Sequence, residues 1–288
     1  QKLNLGYNDE LEFEDKNNPV GGQWLSNLTL LTHLDLSLAH SPQTSHVSLQ
    51  TIVKLPKIQL GPNNLNENIS TSLHKLSGCA RYSLQHLGLG SRQTTGTLAN
   101  LSIFPSLISI DLSDNMLSGK IPDGIPKSLE SLISHTNSLE GGIPKSFGNL
   151  CSLRLLDLSC NKLSEDLSVI LHNLSFGCAK DSLQELNMDS NQIIGTIPDM
   201  SMFSSLRTLR LSNNSLNGRI LKNSTFPYHL ESLYLDFNNL KGVITDSHFG
   251  NMSMLKELNL NDNSLSLIFR ENRLPAFQLT TIVKRLTT

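Results

Sequence analysis

The chain has 288 residues, 38% of them hydrophobic and 17% charged, with 23 Lys and Arg against 25 Asp and Glu for a net charge of −2. That near balance points neither to nucleic acid nor to an anionic membrane surface as a partner. No apolar run reaches the ~18 residues of a membrane span, and Gln1 opens the chain without a charged-then-apolar leader. The expectation is a fragment of a longer protein, lacking its own signal peptide, anchor and end caps.

Residues 1–8 (QKLNLGYN) already lie inside a repeating pattern. Residues 9–22 (DELEFEDKNNPVGG) break it with an acidic run, read as a solvated loop or decayed repeat, so 9–30 is expected to be irregular. Leucines at Leu31, Leu34 and Leu36 resume the pattern, and the clearest unit runs from Leu107 to Pro122, LISIDLSDNMLSGKIP. Its frame is L-x-x-L-x-L-x-x-N-x-L-x-G-x-I-P, a leucine-rich repeat. Eleven slots equivalent to Asn115, from Asn8 to Asn263, follow one another at steps of 22 to 31 residues, with Ala39 and Arg92 replacing the asparagine. At Ser134 the third leucine of the frame is missing. ENISTSLHKLSGCARYSLQHL from Glu67 reappears as EDLSVILHNLSFGCAKDSLQEL from Glu165, a duplicated block lengthened on its outer side both times. The last strand is expected near Leu279 and Ile282, and residues 285–288 are a truncated end.

One unit cannot fold alone. Ordering ~24 residues costs roughly 1–2 kcal/mol each, while the five or six apolar side chains of a unit return about 2 kcal/mol apiece. A column of units can fold, because each covers the apolar face of the next. The expected architecture is an α/β-type solenoid: a curved array of about eleven repeats over residues 1–284, with a parallel sheet on the concave face and irregular or 3-10 segments on the convex face. The asparagine amide can donate and accept where the chain leaves the strand. Gly119, Gly195, Gly218 and Gly242 permit backbone angles that side chains resist.

Among the four cysteines, spacing along the solenoid excludes Cys151–Cys160 and Cys79–Cys151. Cys151–Cys178 is left as the candidate bridge, with buried free thiols as the alternative. Asn27, Asn68, Asn100, Asn173, Asn213, Asn223 and Asn251 each open an N-x-S/T glycosylation signal. Gly88–Ser91 (GLGS) opens no helix, and Asn259–Ser264 (NLNDNS) lacks the glycine and glutamate of a calcium loop. The nine histidines stand apart from any nucleophile at a motif spacing. No catalytic residue, metal or cofactor is therefore expected.

Strand side chains alternate, so residues between the frame leucines face outward on the concave side. Arg207, Arg210, Glu231, Tyr234, Asp236, Phe237, Lys256 and Glu257 then form one ligand-binding patch across three coils. Tyr and Arg are enriched at binding hot spots, and an exposed Phe adds to the case. A glycan on Asn213 would stand at the rim of this patch.

The stretches GGQWLSNLTLLTHLDLS, LISIDLSDNMLSGKIP, SFGNLCSLRLLDLSCNKLSEDL and SLQELNMDSNQIIGTIPDMSMFSSLRTLRLSNNSLNGRI resemble plant extracellular leucine-rich repeat receptor-like proteins. Within them, the similarity is to the group typified by receptors for the fungal ethylene-inducing xylanase. The resemblance covers nearly all of residues 23–283, and the I-P-x-x-x-G-N-L connection at Ile143–Leu150 belongs to the plant class. It implies a glycosylated ectodomain at the plasma membrane that binds a microbial protein or peptide and signals through a partner receptor kinase. Two alternatives stay open: the ectodomain of a hormone or peptide receptor kinase, and a soluble inhibitor of a pathogen wall-degrading enzyme.

Overall fold

The computed structural model describes residues 2–4, 31–35, 37, 55–61, 68–90, 93–220, 226–268 and 281–283. The chain divides into two compact units, Gln1–Ser138 and Leu139–Thr288.

Each unit is built on a ladder of three-residue strands, all parallel. In the first, Lys2–Asn4, His33–Asp35, Lys57–Gln59, His86–Gly88, Ser109–Asp111 and Ser131–Ile133 pair in that order. In the second, the order is Leu155–Asp157, Glu185–Asn187, Thr208–Arg210, Ser232–Tyr234, Glu257–Asn259 and Thr281–Val283. The register puts the middle residue of every triplet in one column: Leu156, Leu186, Leu209, Leu233 and Leu258 are all buried. The residues on either side of the middle one face away from that core, as the period of two demands.

The asparagine slots hold the coils to one another. Asn115 donates its Nδ2 to the carbonyls of Leu89, Leu112 and Ser113 at 2.9, 3.0 and 3.1 Å, and its Oδ1 accepts from the Thr94 N–H at 2.9 Å. Asn137, Asn191, Asn214, Asn238 and Asn263 repeat the motif with the equivalent carbonyls of their own and the preceding coil. Each amide thus satisfies backbone groups that would otherwise be buried without partners.

The outer side is more regular than the sequence suggests. Behind the main ladder lies a second set of parallel strands: Thr95–Thr97 with Met116–Lys120, Ser138–Gly141 with Lys162–Leu163, and then Ile194–Gly195, Ser215–Arg219, Asn239–Thr245 and Ser264–Ile268 in succession. Gly218 enables one of these strands. Its φ is +78°, and a Cβ there would stand 2.7 Å from the Thr196 methyl of the neighbouring coil.

The two coils lengthened in the duplicated block carry α-helices, where other coils have the shorter 3-10 turns Leu101–Ile103, Lys145–Asn149 and Asp246–Phe249. Helix Ile69–Ala80 buries Ile69, Leu73, Leu76 and Ala80, and helix Leu167–Ser175 buries Leu167, Ile170, Leu171 and Leu174. Both stripes follow the three-and-four spacing of a helix face. Each helix is N-capped by the same position of the duplicated block: Asn68 Oδ1 accepts from Ser70 N at 2.9 Å, and Asp166 Oδ1 from Ser168 N at 2.8 Å. Near the end of the second helix, backbone meets backbone. A Cβ on Gly148 would lie 2.5 Å from the Asn173 carbonyl, and one on Gly177 would lie 2.5 Å from the Gly148 carbonyl. Beside this contact Cys151 and Cys178 form a disulfide, with their Cα atoms 4.9 Å apart. Cys160 is exposed and free, at a φ of 53° where the chain turns away from its strand.

Candidate functional site

Four successive coils of the second unit line a depression of about 480 Å³ on the outward face of the main ladder. Asp189 and Ser190 come from the first coil, Arg210, Ser212 and Asn213 from the second, Tyr234, Asp236 and Phe237 from the third, and Asn259 from the fourth. All sit in or just after a strand, so the ladder's register fixes their spacing.

The centre is a stacked ion pair. Arg210 donates from Nε to Asp189 Oδ2 at 3.0 Å, and its guanidinium lies over the Tyr234 ring, 4.1 Å from the centroid. The Tyr234 hydroxyl donates to Glu257 Oε2, which also accepts from the Ser232 hydroxyl at 3.1 Å. Asp189 accepts the Ser212 N–H at 2.6 Å, tying the pair to the backbone of the next coil. Beside the depression, Glu231 receives two cations, Arg207 at 2.8 Å and Lys256 at 2.6 Å.

These contacts shift the acids in opposite directions. Burial pushes the Asp189 carboxyl above its ordinary range, outweighing the hydrogen bonds from Arg210 and Ser212. Lys256, and after it Arg207, hold Glu231 below the usual glutamate value, while the Tyr234 and then the Ser232 hydroxyl do the same for Glu257. A lowered carboxylate stabilises the fold above its ordinary pKa, and that contribution is lost as pH falls through the lowered value. Asp189 has the opposite sign: its contribution is present below its ordinary pKa and fades as pH rises through the raised one. Carboxyl-carbon NMR titration should therefore find Asp189 above ordinary aspartate and both glutamates below ordinary glutamate. Lys256→Gln should move Glu231 back up; an unmoved Glu231 would show that the ion pair is not formed in solution.

Of the eight patch residues read from sequence, Arg210, Tyr234, Asp236 and Phe237 line the depression, and Arg207, Glu231, Lys256 and Glu257 make the charged network beside it. Phe237 is 56% exposed. Asp236 corrects the sequence reading: it is only 8% exposed, because its carboxylate accepts the Ser212 hydroxyl of the preceding coil and its carbonyl accepts Asn213 N at 2.9 Å. Asn261, in the equivalent slot one coil on, is likewise buried at 8% exposure. The structure adds Asp189, Ser190, Ser212, Asn213 and Asn259 to the site. Their signal in the sequence was the outward strand slot and the two slots after the third leucine, occupied in every coil and too common to single these residues out.

The glycosylation signals fall in differing surroundings. Asn68 and Asn100 are helix caps at the surface, each accepting the N–H two residues on at 2.9 Å. Asn173 lies within helix Leu167–Ser175 and spends its amide on the Ile143 carbonyl at 2.8 Å. Asn213 lines the depression and donates to Ser190 Oγ at 3.1 Å, and Asn251 is exposed in a turn. Asn27 and Asn223 lie outside the described residues. Among the described residues no group of three His, Cys, Asp or Glu side chains is placed to hold a metal, and no helix is long and apolar enough to cross a membrane.

The leucine-rich repeat family matches residues 106–127, 152–174, 182–202 and 205–225. Over 116 residues, 39% of this chain and 11% of the other, the sequence is 41% identical to receptor-like protein EIX2 of Solanum lycopersicum. Over 263 residues, 88% of this chain and 24% of the other, it is 32% identical to receptor-like protein 35 of Arabidopsis thaliana. The chain carries leucine-rich repeats and is similar to plant receptor-like proteins over most of its length. Among solved structures, it is similar to the ectodomain of the membrane receptor kinase GASSHO1/SCHENGEN3 from Arabidopsis thaliana, in complex with CASPARIAN STRIP INTEGRITY FACTOR 2. The TM-score is 0.69 at 25% identity, covering 92% of this chain and 33% of that one. The chain spans a quarter or less of the two curated relatives.

Proposed function

We propose that this receptor-like chain is part of the ligand-binding ectodomain of a plant cell-surface receptor, which recognises a microbial protein or peptide in defence and signals through a partner receptor kinase. The observation that carries the reading is the depression itself: a stacked Arg210–Tyr234 pair with an exposed Phe237 at its edge, set among coils whose other outward residues are small or polar. Aromatic and arginine anchors of this kind supply most of the energy in protein interfaces. The Arg207–Glu231–Lys256 network would form the polar rim, where charges steer encounter more than they add affinity. Similarity to receptor-like protein EIX2 supports the defence assignment. The complex formed by GASSHO1/SCHENGEN3 supports a second reading, recognition of a factor made by the plant itself. In either case the Asn213 side chain occupies the wall of the depression, so a glycan there would fill it, and the site requires Asn213 to be unmodified.

Binding to a fungal ethylene-inducing xylanase provides the test. Tyr234→Ala and Phe237→Ala should each weaken the complex by more than about 2 kcal/mol, near thirtyfold, in surface plasmon resonance. Xylanase binding that survives both substitutions would remove the depression from the site, and no xylanase binding by the unaltered chain would favour the plant-derived ligand.

A further inference from the structure

The charges around the depression also say which part of a partner enters it, an inference that rests on the reading just given. Every cation at the site has an acidic partner. Arg210 is held by Asp189 and by the Tyr234 ring, and Arg207 and Lys256 share Glu231. Asp236 is the exception among the acids that line the depression. It is 92% buried, its Oδ1 accepts the hydroxyl of Ser212, and among the described residues no Lys, Arg or His nitrogen lies within 4.0 Å of its carboxylate. A buried carboxylate held by a neutral hydroxyl lacks the countercharge that offsets its loss of water. Its charge adds to burial, the larger cause, in raising the Asp189 carboxyl.

The next residue supplies the other half. Phe237, in the left-handed region at φ 51°, stands open directly after Asp236, while the equivalent slots of the two preceding coils offer the neutral Asn213 and Ser190. A negative floor beneath an apolar rim matches a side chain with a charged head on an alkyl stem. An acidic side chain would meet Asp236 and Asp189 at close range, and an apolar one would seal Asp236 away from water with nothing in exchange. The volume, about 480 Å³, is within the range of roughly 300–1,000 Å³ found for small-molecule sites. We propose that the depression takes a basic side chain of the protein or peptide ligand, an arginine or lysine, whose N–H groups donate to the Asp236 carboxylate while its stem lies on the Phe237 ring.

A random heptapeptide library displayed on phage and selected against the whole chain tests this without knowledge of the natural partner. Selection should enrich Arg or Lys at one position. In the synthetic form of the best peptide, citrulline for that Arg, or norleucine for that Lys, should cost about tenfold or more in affinity. Asp236→Asn, which keeps the shape and the Ser212 contact, should cost as much, and the two changes together should cost little more than either alone. The peptide-side change leaves the protein untouched, so a misfolded variant cannot imitate the result. If peptides lose affinity with Phe237→Ala but are indifferent to the loss of the basic group, the depression binds ligands and the assignment of a basic side chain is overturned. If they bind Phe237→Ala and Asp236→Asn as well as the unaltered chain, both readings fall.

Discussion

Asn238→Ala is expected to cost the fold roughly 3–5 kcal/mol, a large effect for a single polar substitution. Asn238 is 7% exposed. Its Nδ2 donates to the carbonyls of Leu211, Leu235 and Asp236 at 2.9, 3.0 and 3.1 Å, and its Oδ1 accepts from Leu216 N at 3.0 Å. Alanine strands one buried N–H and weakens the hold on three carbonyls, two in its own coil and one in the coil before. Each stranded group costs about 1–3 kcal/mol. Asn239, the next residue but exposed in an outer strand, is the control; its alanine variant should stay within about 0.5 kcal/mol. Urea unfolding followed by circular dichroism checks both. A loss at Asn238 below 1 kcal/mol would mean that water replaces the amide and that the ladder does not hold the coils together.

Phe203→Ala should be comparably severe, about 3–5 kcal/mol, for a different reason. Phe203 is fully buried, as are Phe104, Phe147 and Phe249, and its truncation leaves a cavity that the flanking coils cannot close. Phe237→Ala gives the contrast. That ring is 56% exposed, so removing it should leave the urea midpoint nearly unchanged while abolishing most of the binding tested above. One phenylalanine serves the fold and the other the surface, and the same substitution should separate the two roles. Equal losses of stability at Phe203 and Phe237 would contradict the burial on which the site rests.

How far such features could be read beforehand depended on whether a residue's role is set within its own coil. The middle leucines and the ladder asparagines are legible because their spacing is fixed: Leu209, Leu233 and Leu258 stack wherever the frame repeats. The outer strands are not, since Ser215–Arg219 becomes a strand only when Asn239–Thr245 lies alongside it. Helix Leu167–Ser175 was hidden for a related reason. Its buried stripe of Leu167, Ile170, Leu171 and Leu174 reads as one more set of repeat leucines until the extra length of that coil is given somewhere to go. Asp236 misled because alternation predicts the direction of a side chain but not what covers it. The Ser212 hydroxyl that draws it inward belongs to a residue 24 positions away. The four fully buried phenylalanines, Phe104, Phe147, Phe203 and Phe249, carried no signal in the leucine frame, although they are among the largest side chains in the core.

The outer helices have a bearing on how such arrays change over time. From Asn161 to Asn191 the chain takes 30 residues, and from Asn191 to Asn214 only 23, yet Leu156, Leu186 and Leu209 pair without a slip. Surplus residues coil up as helix on the far side and leave the ladder untouched. Unequal crossing-over between genes of this type can therefore add, lose or lengthen a unit and still yield a folded product, so the recognition face can be reshuffled by inheritance without each new combination having to solve the folding problem again.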